Sequence, residues 1–433
     1  MKRGVLRLGV VGGIAVAAAC TELVTSPGKC PDFCPGGKIV TVESLLTDVI
    51  KGDSSYRGYW LPSEVPWLVA EDYPGQLDSR PFFQIAPVSP RMIVATGDTQ
   101  PIIVDSITLT LSFTRSDTTA HNLTVEFYRL PTPSDSLSDF ATLAPLFVTP
   151  IRTVNLDTLL AIPGRRDSVT GDTVLVDTLN RSTIAFRFDT TQIPFIPGDS
   201  GRSTFGLRIT ADAPTSVLVT SHNNGSSQGP RLTWYNSIDS VGTIVKRAAQ
   251  VALTSFDTFV FDPPTAALDS NLTVGGIPAT RSLLRVAMPH GIRDSTQIVR
   301  ATLYLVPVAP AFGTVADSFF VRAARVGADL GAKSLSVADT FGVNSIALGA
   351  GASDTVRLEV TSLVRLWQAD TTLPAAMYLQ LFSLDRDSTT SPPSLVGFEG
   401  ISFARIHFYS SRSPAYRPAL RVTYVKRVDF GAP

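Results

Sequence analysis

Strict alternation of apolar and polar residues is the feature that most narrows the folds open to this chain. Ile107-Thr108-Leu109-Thr110-Leu111-Ser112-Phe113, Leu123-Thr124-Val125-Glu126-Phe127 and Thr183-Ile184-Ala185-Phe186-Arg187-Phe188 change character at nearly every residue. Successive side chains of a strand point to opposite faces, so such runs make strands with one buried and one wet side. Strands of that kind belong to antiparallel sheets, because parallel strands are covered on both faces and read as continuous apolar runs. Thr and Val are abundant, Pro and Gly punctuate the runs, and long helical periods are almost lacking. This predicts an all-β chain of antiparallel sandwiches.

The blocks also recur in order. Arg80–Ala86 has a counterpart in Arg281–Ala287, the run near Ile107 in Ala301–Val306, and Leu123–Tyr128 in Phe319–Ala324. Thr183–Phe188 then matches Thr355–Val360, Thr204–Ile209 matches Ala376–Phe382, and Pro230–Tyr235 matches Pro418–Tyr424. Conserved order with drifting spacing is the mark of a duplicated domain with variable loops. The 433 residues suit two domains of ordinary size. The expected modules are 38–236 and 247–427, separated by a short polar linker. In the first, Asn155–Leu159 and Thr173–Leu179 flank Gly164-Arg165-Arg166-Asp167-Ser168 and predict an extra hairpin that the second lacks.

The N-terminus has a different chemistry. Lys2, Arg3 and Arg7 precede the apolar run Leu8–Ala19, which ends in Ala17-Ala18-Ala19-Cys20. A run this short does not cross about 30 Å of hydrocarbon as a stable helix. The pattern resembles a bacterial lipoprotein signal with its lipobox, with Ala17 where that family usually has Leu. The resemblance implies a signal peptide at 1–19, lipid attachment at Cys20 and a membrane partner reached through that anchor. Thr21 stands where Asp would resemble an inner-membrane retention signal, so the implied address is the outer membrane, with the protein periplasmic or surface-exposed. Residues 20–37 read as a Pro/Gly/Ser-rich tether. Of the three cysteines, Cys30 and Cys34 remain to close a small disulfide loop in an oxidising compartment.

Composition and motifs argue against several functions. Lys plus Arg and Asp plus Glu both total 37, giving zero formal charge and no basic footprint for nucleic acid. Gly225-Ser226-Ser227-Gln228-Gly229 fits the nucleophile-elbow pattern, but that motif needs a strand before it and a helix after it. Here a loop leads into another strand pattern. The four histidines, at 121, 222, 290 and 407, lack metal-ligand spacing. Asp385-Arg386-Asp387 resembles a fragment of a calcium loop without its Gly and distal Glu, so a structural calcium ion is the one cofactor the sequence leaves open. No acid, base or nucleophile constellation assembles, and the chain reads as non-catalytic.

Thr355-Val356-Arg357-Leu358-Glu359-Val360-Thr361-Ser362-Leu363-Val364-Arg365-Leu366-Trp367 runs from a strand into a short capped helix with Trp367 in the core. With Ser282–Val286, Ile298–Leu305 and the ending Arg417–Tyr424, it resembles the DNRLRE domain, a family similar to jelly-roll carbohydrate-binding modules of secreted and surface proteins. The name-giving motif is absent, and Ser410-Ser411-Arg412-Ser413 stands where an acidic residue is common. The resemblance implies two tandem jelly-roll-like sandwiches that bind extracellular polysaccharide, or else spacers or adhesive subunits with envelope-protein partners. Sugar recognition needs aromatic faces and planar polar groups. The candidates are His222, Asn223 and Asn224 before the last strand of the first copy, and Tyr409, Arg412 and Tyr416 in the second. Trp60 and Trp67, near Tyr56, Tyr59 and Tyr73, form the other aromatic cluster.

Overall fold

The structure, a computed structural model, describes residues 40–427 except 59–60, 94–96, 116–117, 133, 179–180, 225–228, 241, 263–270, 314–317, 330–344 and 388–393. The alternating runs are strands, as expected: Ile103–Arg115, Thr124–Leu130 and Arg181–Phe188 bury Ile107, Leu109, Leu111, Val125, Phe127, Ile184 and Phe186 completely. Every ladder with a described register is antiparallel. The longest described helix is Thr361–Ala369, which buries Leu363, Val364 and Trp367. No described helix is long and apolar enough to cross a membrane.

The strands sort into two bodies. In the inner body, Ile103–Arg115 pairs with Arg231–Ser240, which pairs with Gln250–Phe261, which pairs with Leu77–Ile85. Leu77–Ile85 pairs in turn with Trp67–Tyr73, then Thr215–Thr220, which returns to Ile103–Arg115. The circuit closes on a core that includes Phe83, Phe127, Phe186, Phe205 and Trp234. In the outer body, one sheet runs Thr41–Leu46, Ala419–Lys426, Thr296–Leu305, Val356–Glu359. A second places Thr280–Val286 between Ile50–Arg57 and Ala376–Asp387, and Asn271–Gly275 pairs with Arg405–Tyr409. Its separate core includes Val49, Ile50, Leu303, Phe319, Trp367 and Phe408.

The repeat seen in the order of strands is also a repeat of pairings. Leu77–Ile85 pairs with Ser203–Thr210, which pairs with Thr124–Leu130; their counterparts Thr280–Val286, Ala376–Asp387 and Ser318–Arg325 pair in the same succession. Ile103–Arg115 takes Arg181–Phe188 and Arg231–Ser240 as neighbours, just as Thr296–Leu305 takes Val356–Glu359 and Ala419–Lys426.

The leading strands break the correspondence between copy and body. Gln250–Phe261 opens the second copy in sequence, yet it pairs with Arg231–Trp234 and Ser79–Ile85 of the first. Thr41–Leu46 and Ile50–Arg57 open the first copy, yet they pair with Ala419–Lys426 and Thr280–Val286 of the second. The first copy lends its two leading strands to the second, and the second lends its one leading strand to the first. The expected boundaries 38–236 and 247–427 therefore follow the repeat but not the packing, where the divisions are 67–261 and 41–57 plus 271–426. Ladder hydrogen bonds are made by main chain, so nothing local tells a strand which equivalent edge to join.

The exchange and an apolar seam tie the bodies together. Tyr73 of the inner body packs on Phe403 at 4.2 Å and Phe312 at 5.8 Å between ring centroids, beside Trp67, Leu218, Ile277 and Ile401. The described residues from Val42 onward accordingly form one compact unit.

The expected extra hairpin of the first copy is corrected in half. Thr173–Thr178 is a strand paired with Arg181–Phe188, but Leu156–Ala161 is a helix. Asn155 accepts a hydrogen bond from the Thr158 N–H, the geometry of an N-cap, and Leu156 and Leu159 are buried three residues apart on one helical face.

Candidate functional site

The loop before the last strand of each copy is held in the same way. In the inner body, Asp257 stands on the borrowed leading strand opposite Phe83 and is fully buried. Its carboxylate accepts from Ser221 Oγ at 2.9 Å and from the His222 N–H at 2.7 Å, and lies 2.6 Å from His222 Nδ1. A carboxylate only accepts, so Nδ1 carries the proton in this contact. Ser221 Oγ in turn accepts from the Asn223 N–H at 3.1 Å.

Asp53 is the outer body's equivalent, on its own borrowed strand opposite Leu284, the counterpart of Phe83. It accepts from the Ser411 N–H, while Ser410 Oγ accepts from the Arg412 N–H at 3.1 Å. The Arg412 guanidinium stands 3.7 Å from the other Asp53 oxygen, within reach of charge attraction but too long for a hydrogen bond. Burying a carboxylate is costly unless donors surround it. Each aspartate therefore fixes its loop on the exchanged strand. Sequence reading missed both residues; the available signal was an acidic residue interrupting apolar Phe256-Asp257-Thr258-Phe259, with Asp53 at the matching place.

The loops differ in what they present. In the outer body, the Tyr409 and Tyr416 rings lie 5.4 Å apart with an interplanar angle of 38°, and Tyr416 is 64% exposed. Tyr416 has φ 58°, a left-handed conformation that costs a non-glycine residue about 1–2 kcal/mol. Ser413 Oγ donates to the Ala415 carbonyl at 2.5 Å and Arg417 Nε to the Ser413 carbonyl at 2.7 Å, which over-determines the turn. Arg412 and Tyr416 thus share one braced loop, which starts from Tyr409 at the end of the strand Arg405–Tyr409. In the inner body His222, Asn223 and Asn224 form a single 3-10 turn. His222 is occupied by Asp257, and Asn223 Nδ2 donates to the Ser63 carbonyl at 2.7 Å.

Other expectations fall elsewhere. Trp67 is 2% exposed in the seam between the bodies, which corrects its reading as a sugar platform: its ring sits among Val65, Leu218 and Tyr73. Trp60, Cys20, Cys30 and Cys34 lie outside the described residues. Asp385 and Asp387 are on the strand Ala376–Asp387, opposite Val396 and Ser394. Among the described residues no cluster of His, Cys, Asp and Glu is arranged for a metal. Residues 225–228 of the elbow-like motif are not described, but the segment that follows, Arg231–Ser240, is a strand where the elbow needs a helix.

One histidine supplies a pH test. Burial, reinforced by the Arg405 and Arg57 guanidiniums, holds the His407 imidazole below its ordinary 6.5, and Nδ1 lies 3.0 Å from Thr273 Oγ1. The unfolded chain takes up its proton near 6.5 while the folded ring stays neutral. Stability therefore falls as pH drops below that value and levels off below the folded one. Thermal midpoints measured from about pH 7.5 to about 5 should decline, with a shallower decline in His407→Gln. An equal slope in the variant removes His407 as the cause.

No protein-family model matches the chain, and no curated protein matches it.

Proposed function

We propose that the chain is a non-catalytic, lipid-anchored protein of the bacterial cell envelope whose duplicated β bodies bind extracellular polysaccharide. The observation that carries the binding claim is the contact of the exposed Tyr416 with the half-buried Tyr409, beside Arg412 on a loop braced by Asp53. Aromatic faces stack on the apolar faces of sugar rings, and a guanidinium donates to hydroxyls in its plane. The address rests on the sequence around Cys20, and the choice of polysaccharide rests also on the resemblance of 247–425 to the DNRLRE domain and its jelly-roll relatives.

A second reading, a spacer or adhesive subunit with protein partners, draws on the strand exchange. Three exchanged strands and the Tyr73–Phe312–Phe403 contact join the bodies, which suits holding something at a distance from a membrane.

A broad glycan panel, probed with the described chain with and without calcium, tests the first reading. Saturable binding that falls on the order of tenfold in Tyr409→Ala and in Tyr416→Ala is expected. Absence of binding across the panel rejects the polysaccharide and leaves the spacer; binding that ignores both tyrosines moves the site off this loop.

A further inference from the structure

Three cationic side chains meet on the outward side of the outer body. In Arg405-Ile406-His407-Phe408-Tyr409, alternation sends Ile406 and Phe408 into the core and leaves Arg405, His407 and Tyr409 on the other side. Arg405 stands opposite Gly275, and His407 opposite Thr273, on the neighbouring strand Asn271–Gly275. Gly275 ends that strand at φ 84°, and a Cβ there would lie 2.5 Å from the Ala404 carbonyl oxygen. Only glycine lets the turn sit this close to the strand that carries Arg405. The borrowed strand Ile50–Arg57 brings the third cation. Ser55 Oγ accepts from the Thr273 N–H at 2.9 Å, and Arg57, two residues along on the same side, stands opposite Thr280, just past the turn.

These charges meet others of their own sign. The Arg405 guanidinium is half-buried, 5.0 Å from the centre of the Phe312 ring, and burial together with the charge of Arg57 holds it below its usual range. His407 is subject to burial and to both guanidiniums. Among the described residues no carboxylate acts on Arg405 or His407. Gathering like charges where water is partly excluded costs free energy, and an anion placed among them reverses the sign of that interaction.

We propose that Arg57, Arg405 and His407 form a binding site for an oxyanion, a carboxylate or sulfate group. Guanidinium forks match two oxygens of such a group. With Nδ1 of His407 turned to Thr273 Oγ1, Nε2 is the ring nitrogen left to donate. The bearer of the group follows from what shares the strand. Tyr409 lies two positions from His407 and four from Arg405, about 13 Å along the same side, and it touches Tyr416 of the braced loop. A glycan stacked on the tyrosines and extended along this strand reaches the cations, so the fitting bearer is an acidic polysaccharide. That assignment rests on the polysaccharide reading; the oxyanion site itself does not.

Thermal midpoints in sodium sulfate against sodium chloride of equal ionic strength, and affinities for polygalacturonate against its methyl ester, test the proposal. Sulfate stabilises proteins generally, without saturation, by exclusion from their surface. A site adds a component that follows a binding curve, here expected at millimolar concentration. That component should vanish in Arg405→Gln and in Arg57→Gln while the general rise persists. Acid and ester present the same rings, so a several-fold preference for the acid is expected, lost in both arginine variants, whereas Tyr416→Ala weakens the two alike. Circular dichroism checks folding; should half-buried Arg405→Gln not fold, Arg57→Gln, at an exposed position, carries the test. A sulfate component with no acid preference, or with no glycan bound at all, supports the site and assigns it to a free anion; an acid preference without a sulfate component assigns it to the glycan. Absence of both overturns the proposal, and so does either effect undiminished in a folded arginine variant. Equal, tyrosine-dependent binding of acid and ester without a sulfate component overturns it while leaving the polysaccharide reading in place.

Discussion

A fragment spanning 262–433 should fail to fold by itself and should regain a cooperative transition when a peptide of residues 40–58 is added in excess. The peptide supplies Ile50–Arg57 to Thr280–Val286 and Thr41–Leu46 to Ala419–Lys426. Without it two strand edges lose their ladder partners, and Val49 and Ile50, 4% and 6% exposed, leave the outer core. Burying each aliphatic side chain contributes about 1.5–3 kcal/mol. Asp53 and Ser55 go with them: Ser55 Oγ accepts from the Thr273 N–H at 2.9 Å and lies 2.9 Å from Ser282 Oγ. Against a net stability of about 5–15 kcal/mol, that combined loss is large enough to unfold the body. Near-UV circular dichroism and thermal melts read the result; a fragment that melts cooperatively without peptide, at the intact chain's midpoint, refutes the exchange. The mode is strand addition to an open edge, in which main chain supplies affinity and alternate side chains supply register.

Glu399→Ala is expected to destabilise the outer body by about 3–5 kcal/mol, the usual loss when one partner of a buried ion pair is removed. Arg281 and Glu399 side chains are 4% and 9% exposed, and Arg281 Nε lies 3.0 Å from both carboxylate oxygens, with Nη2 closer still. A second cation responds to the same carboxylate: burial holds the Arg322 guanidinium below its usual range, Glu399 opposes that shift, and Arg281 adds to it. Removing Glu399 thus takes the ion-pair partner from the buried Arg281 and the attraction that opposes the shift of Arg322. The midpoint should fall by roughly 6–20 °C for a body of this size. The double change Arg281→Met with Glu399→Leu should recover most of the loss, because an apolar pair avoids the cost of desolvating charge. A single variant within about 1 kcal/mol of the parent would show the pair to be solvated in practice.

Much of the architecture was legible before any coordinates. Alternation announced the strands because the side-chain period of a strand is two, and a strand with one apolar face needs a covered side and a wet side. The order of the blocks announced the duplication, and pairing partners later agreed block by block. Local chemistry was less legible. Asn155-Leu156-Asp157-Thr158-Leu159 looks extended to a reader counting β-formers, yet Asn155 caps a helix whose Leu156 and Leu159 share a face. Trp67 looked like part of an aromatic platform for sugar, but it stands on a strand that faces the other body. The tyrosines of the outer loop could be named from their position before the last strand; the aspartate that braces them could not, since it lies more than three hundred residues away in the chain.

What the sequence by itself determined, then, is the class of structure and its repetition, because both depend on side-chain periodicity along a continuous stretch. Only the tertiary structure decided which copy each leading strand completes. The two edges to be filled are near-equivalent products of the same repeat, and the hydrogen bonds that fill them are made by main chain. The choice falls to long-range packing: Asp53 and Asp257 each reach a loop of the other copy, and Tyr73 docks against Phe312 and Phe403. Those contacts exist only once the chain has folded back across its own midpoint.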